Sequence, residues 1–257
     1  MNIKKHEKYL KEKVFFTNNK WPHFNLLFKD IKKISKKLPK NSTIISLERT
    51  TLYGGTSLFA PFFNKHNFIS VDCVTDKILK RGSYNKKFLK DKNIIKTKSN
   101  YQFDYKKIRL KNNIADCILI PNLMHHVEYP EILIKKAHKL LKKNSTIYIF
   151  EPLVRELHQI PEDFGRFTPF SLKTLLAKVG FKNSNYELTG GPFSCISYYW
   201  DQAMQYIPSN KRKKVQEWFL KTENKRLQKF DRIFKKNLQR KNTLSPVAFS
   251  LISKKTK

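Results

Sequence analysis

The sequence predicts an α/β fold, a mostly parallel sheet with helices packed on both of its faces. Three observations carry that expectation. Residues 114–121 (IADCILIP) and 146–150 (TIYIF) are short, nearly continuous apolar runs, the pattern of strands buried on both sides. Between them Ile132, Leu133, Ala137, Leu140 and Leu141 recur at spacings of three and four with lysines opposite, which predicts one amphipathic helix over 129–143. A strand, helix, strand unit of this kind makes a parallel crossover, and similar short apolar runs precede it at 43–47 and 67–71.

In chain order, residues 1–20 are lysine-rich and fit either a short helix or a basic arm. A helix over 21–38 carries Phe24, Leu27, Phe28, Ile31, Ile34 and Leu38 on one face and is closed by Pro39. Strand one (43–47) runs into a turn at 48–56 containing Gly54-Gly55, and strand two (67–71) ends at Asp72. Asn144 is expected to close the 129–143 helix in the left-handed conformation. After Glu151 comes a loop dense in specific residues, Arg155, His158, Pro161, Asp163 and Arg166. Thr168-Pro169, an N-cap and a first-turn proline, then opens a helix that runs to Gly180. A strand through 186–188 is broken by Gly190-Gly191-Pro192, and 245–253 (SPVAFSLIS) is the last strand.

About fifty residues separate those two strands, far more than neighbouring antiparallel strands need. They are expected to form a helical insertion whose one long helix carries Val215, Trp218, Phe219, Leu227, Phe230, Ile233, Phe234 and Leu238 on one side. Such a stripe must bury against the host domain, beside its cleft and with the 198–200 approach (YYW) shaping a pocket, or against a second copy of the chain. The expected organisation is 1–40, an N-terminal helical segment; 41–190, the core; 191–242, the insertion; and 243–257, the closing strand with a basic tail. No internal repeat is visible.

Composition narrows the classes. The 257 residues have a formal net charge of +33, which predicts weak, salt-sensitive attraction to polyanions. The excess is lysine spread along the whole chain, as an AT-rich coding bias would also give. No apolar run spans a bilayer and the N-terminus lacks the apolar core of a signal peptide, so a cytoplasmic location is expected. Cys73, Cys117 and Cys195 show no paired spacing and are expected as reduced thiols, and no metal-ligand motif is visible, so no metal site is expected.

Several stretches together resemble the class I S-adenosylmethionine-dependent methyltransferases, in particular the broad type 11 group of small-molecule methylases. They are D-x-I-L-x-x-x-x-L-x-H-H-V-x-x-P at 116–130, the helix end KLLKK at 139–143, and P-E-D-F-x-R-F-T-P-x-x-L-x-x-L-L-x-x-x-G-F at 161–181. The resemblance implies a Rossmann-like, seven-stranded, mostly parallel sheet closed by an antiparallel last strand, with S-adenosylmethionine as cofactor. The chain departs from the family at the G-x-G-x-G turn after strand one. There Glu48, Thr50 and Leu52 stand in place of the glycines and only Gly54 and Gly55 follow.

The resemblance also places site residues. Glu48, Gly54 and Gly55 lie in the altered turn; Asp72 falls on the acid that binds the ribose hydroxyls, Asp104 on the acid near the adenine amino group, and Asn122 at the methionine end. Loops at the carboxyl ends of parallel strands bind ligands in such sheets, which makes His125, His126 and His158 the candidate catalytic residues and Arg155, His158 and Arg166 the candidate acceptor-binding residues. Asp163 and Arg166 are equally readable as a pair that holds the loop. The expected function is methyl transfer to a small acceptor, anionic or sugar-like, with a homodimer through the insertion as the alternative to its packing beside the cleft. Two other readings stay open: a non-catalytic, methyltransferase-like binding protein, suggested by the lost glycines, and a nucleic-acid-modifying methyltransferase, suggested by the charge.

Overall fold

The computed structural model describes residues 2–18, 20–73, 91–236 and 244–256. Seven strands form one sheet: β1 (Thr43–Glu48), β2 (Asn67–Cys73), β3 (Tyr101–Phe103), β4 (Ala115–Pro121), β5 (Leu141–Pro152), β6 (Phe181–Thr189) and β7 (Ala248–Lys255). Their spatial order is β3-β2-β1-β4-β5-β7-β6. The first five pair in parallel, and β7 lies antiparallel between β5 and β6. The closing strand is therefore antiparallel, as the resemblance implies.

The continuous apolar runs follow from burial on both faces. Ile45, Leu47, Ile118, Ile120, Ile147 and Ile149 point into one core, shared with helices α3 (Pro130–Leu140) and α4 (Pro169–Val179). Ile44, Cys117, Leu119, Tyr148 and Phe150 point into the other, shared with α2 (Phe24–Lys37) and the turn at Ala60–Phe63. Neighbouring side chains of a strand face opposite ways, so both faces of these strands are lined by apolar residues. Helix α4 starts as predicted: the Thr168 hydroxyl accepts from Ser171 N at 3.1 Å, and the helix ends at Gly180 with φ +107°.

Three expectations change. Helix α3 ends at Leu140, because Leu141 already pairs with Ala115 in the sheet; Asn144 is left-handed (φ +63°) but lies inside β5. The N-terminal segment is not an arm. Helix α1 (Ile3–Tyr9) and a wider turn over Leu10–Val14 are anchored by fully buried Leu10 and by buried His6, whose ring lies 3.0 Å from the Leu58 carbonyl and 3.1 Å from Ile95 N. The insertion is three helices, α5 (Pro192–Met204), α6 (Ser209–Lys221) and α7 (Glu223–Lys236), since the expected long helix breaks at Thr222. Phe219 is buried against Trp200, their rings stacked at 4.7 Å, whereas Trp218 remains 51% exposed. Leu238 lies outside the described residues.

The insertion is tied to the host domain. Lys20 pairs with Asp201 at 2.8 Å and the Tyr198 hydroxyl donates to Glu156 at 2.5 Å, while within the insertion Asp231 accepts from Phe193 N and Ser194 N. All three thiols are free, with Cys73 and Cys117 buried. Among the described residues no helix is long and apolar enough to cross a membrane.

Candidate functional site

The carboxyl ends of β1 and β4 and the 153–168 loop meet at one cavity of about 100 Å³. Its walls include Glu48, Arg49, Asn122, His126, Arg155 and His158, and the N-terminal segment closes it with Phe15, Trp21 and Phe24.

Parallel pairing sets Glu48 beside Asp72 in register. Glu48 accepts from the Ser57 hydroxyl at 2.8 Å and from Ser70 at 3.4 Å. Burial pushes its carboxyl up to about 7, and the neighbouring Asp72 adds to this. Asp72 is also raised by burial, against the hydrogen bonds from Thr51 and Thr50 that hold it down. The Thr51 hydroxyl donates to Asp72 Oδ2 at 2.5 Å, while Oδ1 is buried with no partner. The turn that replaces a glycine-rich loop is thus a short helical turn, Thr50–Tyr53, whose threonine touches the strand-end acid, followed by left-handed Gly54 (φ +63°) and Gly55 (φ +76°).

On the other side, Asn122 is left-handed (φ +62°) and its side-chain oxygen is buried without a partner. The residues after it are held by Glu151, which is fully buried at the end of β5. Its Oε1 accepts from Leu123 N (2.8 Å) and Met124 N (2.7 Å), and its Oε2 from His125 N at 3.3 Å, with His125 Nδ1 at 2.6 Å. Burial pushes Glu151 up to about 8 against those amide donors. The same burial, with Arg155 nearby, holds His125 well below its ordinary range. His126 directs Nδ1 at the Glu162 carbonyl (2.5 Å), and His158 directs Nδ1 at Asp163 Oδ2 and the Glu156 carbonyl, both at 3.1 Å. Both rings are lowered, chiefly by burial, so all three imidazoles are neutral at pH 7.

The loop carrying His158 is clamped from within. Arg166 donates to both oxygens of Asp163 (2.5 and 2.9 Å), to the Gly165 carbonyl at 2.7 Å and to the Glu156 carbonyl at 2.8 Å. Burial alone would raise Asp163; Arg166 and His158 hold it below the carboxylate range.

With that geometry the comparison is specific. Residues 55–149 match the profile of a family described as "Methyltransferase domain". Over those residues the chain is similar to a methyltransferase domain, and S-adenosylmethionine-dependent methyl transfer is the activity that this similarity supports. The fold agrees. A Galdieria sulphuraria structure, provisionally named a sarcosine dimethylglycine methyltransferase, aligns over 91% of this chain and 86% of its own at 14% identity, with a TM-score of 0.51. A SAM-dependent methyltransferase from Archaeoglobus fulgidus covers 90% of this chain and 94% of its own at 17% identity and a TM-score of 0.49. Phosphoethanolamine N-methyltransferase 2 of Haemonchus contortus, in complex with S-adenosyl-L-methionine, covers 89% of this chain at 13% identity and 0.49; this chain spans about half of it (52%). No curated protein matches the chain by sequence.

The polar groups of the site fit the cofactor of such a domain. S-adenosylmethionine presents donors and positive charge (an ammonium, a sulfonium, ribose hydroxyls), and the chain offers the complementary set: two buried carboxylates, Glu48 and Asp72, and the unpartnered oxygens Asp72 Oδ1 and Asn122 Oδ1. A side chain added at Gly55 would meet nothing within 4 Å, so the turn leaves open space there.

The structure brings together Glu48, Asn122, His126, Arg155 and His158 on the cavity wall, with Asp72 behind Glu48 and His125 one layer deeper. Asp104 stands apart, capping the turn Tyr105–Lys107 by accepting from Lys106 N at 2.8 Å. Arg166 is in the loop clamp and not on the wall. Sequence reasoning missed Glu151, whose signal is an acid directly after the apolar run of β5, and the N-terminal aromatic cover, which has no local signal.

Proposed function

We propose that this methyltransferase acts on a small acceptor, anionic or sugar-like, held between Arg155 and the N-terminal aromatic cover. The cavity supports this reading: it is about 100 Å³, walled on one side by Phe15, Trp21 and Phe24 and on the other by Arg155 and two histidines. A space of that size and lining suits one end of a metabolite.

S-adenosylmethionine, when bound, supplies a methyl group on a sulfonium already activated for in-line displacement. What remains for the chain is to orient the acceptor, keep water out and manage a proton. Glu48, Asp72 and Asn122 would hold the cofactor, with Asp104 further along the sheet edge. Arg155 presents a guanidinium beside Glu156 (3.8 Å) and can pair an acidic group of the acceptor. The aromatic cover excludes water. His126 and His158, neutral and on the wall, present nitrogen lone pairs to a hydroxyl or ammonium, and His125 supports them from behind.

The test is methyl transfer from labelled cofactor to hydroxy acids, amino acids and sugar phosphates, with RNA alongside. Arg155→Ala should raise KM for the best anionic acceptor at least about tenfold, the scale of a lost charged hydrogen bond, while S-adenosylhomocysteine affinity stays the same. Label appearing only in RNA, or an Arg155→Ala variant with unchanged KM, would overturn it.

A further inference from the structure

Three of the seven histidines of the chain converge. One ring nitrogen from each of His125, His126 and His158 lies within 4.8 Å of the others, and the ring centroids are 4.0, 4.9 and 5.3 Å apart. The fold makes this group. The turn after β4 carries the first two, and the loop after β5 carries the third, 32 residues beyond His126.

The direction of the rings is what makes the group unusual. Each Nδ1 faces an oxygen: Glu151 Oε2 at 2.6 Å, the Glu162 carbonyl at 2.5 Å, and Asp163 Oδ2 with the Glu156 carbonyl at 3.1 Å. A carbonyl can only accept, so Nδ1 carries the proton in His126 and His158, and their Nε2 is a lone pair. The Nε2 atoms of His125 and His158 are buried and have no partner. Buried polar atoms are normally satisfied, so the lone pair of His158 Nε2 asks for a ligand that accepts electron pairs, and His125 Nε2 joins it when Glu151, as a carboxylate, accepts the hydrogen bond that Nδ1–H donates.

We propose that His125, His126 and His158 form a site for one divalent transition ion of the zinc type, bound through three imidazoles and open towards the cavity. Oxygen acceptors on the far ring nitrogen are the arrangement that orients metal-binding histidines. Three nitrogens without a thiolate suit zinc and its neighbours, and three protein ligands leave a fourth position for water or an acceptor atom. His126 and His158 line the cavity, so the open position faces it. Of the nearby guanidiniums, Arg166 is paired with Asp163 at 2.5 Å and Arg155 lies 3.8 Å from Glu156, while Arg49 lines the same cavity.

A tetrahedral ion with metal–nitrogen bonds of about 2.0–2.1 Å holds its ligands roughly 3.3 Å apart. Ring nitrogens within 4.8 Å of one another must therefore draw closer on loading. A bound ion would occupy the lone pairs that a histidine base uses and would itself polarise an acceptor oxygen. Metal uptake is measured without turnover, so it stands or falls apart from the acceptor reading.

The test uses the tag-free, chelator-treated full chain. Titration with Zn2+ alone, followed by calorimetry and by melting temperature, should give one ion per chain and a higher melting temperature. Substitution with Co2+ should give the intense visible bands of a four-coordinate ion, and the paramagnetic adduct should show three shifted, exchangeable imidazole N–H signals, one for each Nδ1. His158→Ala should weaken Zn2+ at least about tenfold, and Asp163→Asn by about tenfold or more. His138→Ala, which removes a histidine packed on Phe181, should change nothing. No uptake, a pale six-coordinate Co2+ spectrum, or His158→Ala binding as tightly as the parent would overturn the proposal. Should His158→Ala not fold, the count of shifted signals in the parent chain decides alone.

Discussion

Glu48→Gln separates what this carboxyl does for the cofactor from what it does to the fold. Burial lifts Glu48 from its ordinary 4.5 to about 7, which corresponds to roughly 3 kcal/mol against the ionised form. The folded carboxyl binds its proton more tightly than the unfolded one. Its contribution to stability is therefore full below 4.5, falls as the pH rises through 7, and is gone above. Glutamine has no charge to desolvate. Its added N–H bonds can be met by Ser57 and Ser70, whose hydroxyls already reach Glu48 and can accept as well as donate.

The cofactor-free variant should be more stable than the parent at about pH 8, by up to roughly 3 kcal/mol or about 5–10 °C in Tm, and equal to it at about pH 4.5. Binding moves the other way: a cationic cofactor that loses a buried counter-charge should bind about 10–100-fold more weakly. For the parent, affinity should fall as the pH drops below 7, because protonated Glu48 must first give up its proton. Melting curves at the two pH values and calorimetry with S-adenosylmethionine read both effects. A variant less stable than the parent at about pH 8, or a stability difference that does not change with pH, would refute the reasoning and mean that Glu48 is ionised and compensated in the fold.

Other outcomes follow from the same contacts. Asp72→Ala should weaken the cofactor by roughly 1.5–3 kcal/mol, measured by calorimetry, with the fold retained at a strand end. Arg166→Ala removes the clamp on the 153–168 loop; methyl transfer should fall while melting temperature changes little, and limited proteolysis should open the loop first. Thr168→Ala removes the cap on Ser171 N and should cost about 0.5–2 kcal/mol in denaturant unfolding. Replacing 193–241 by a short Gly-Ser turn removes the Tyr198 contact to Glu156. It should leave cofactor binding intact and abolish transfer, and full-rate transfer would exclude the insertion from the site.

Much of the scaffold was legible because periodicity and caps are local. Residues 114–121 and 146–150 had to be strands because no amphipathic helix contains such runs, and Thr168-Pro169 and Gly180 bound helix α4 by their own backbone preferences. The three residues of β3 are too few to show a period. The break at Thr222 carries neither glycine nor proline, so the stripe from Val215 to Phe234 read as one helix.

The sequence by itself determined the strand and helix alternation, and the resemblance it carries implied the antiparallel closing strand and pointed to Glu48, Asp72 and Asn122, with the three histidines singled out by their loops. Only the tertiary structure decided how these residues are used. Thr51 meets Asp72 and Glu151 meets His125 across 21 and 26 positions of chain, and such pairings depend on sheet order and register, which no local pattern records. Nor does the N-terminal sequence show that Phe15 and Trp21 cover a cavity: their burial is against residues brought there by β1, β4 and the loop after β5. The neutrality of the histidines has the same origin, since it comes from burial, and burial is a property of the whole fold.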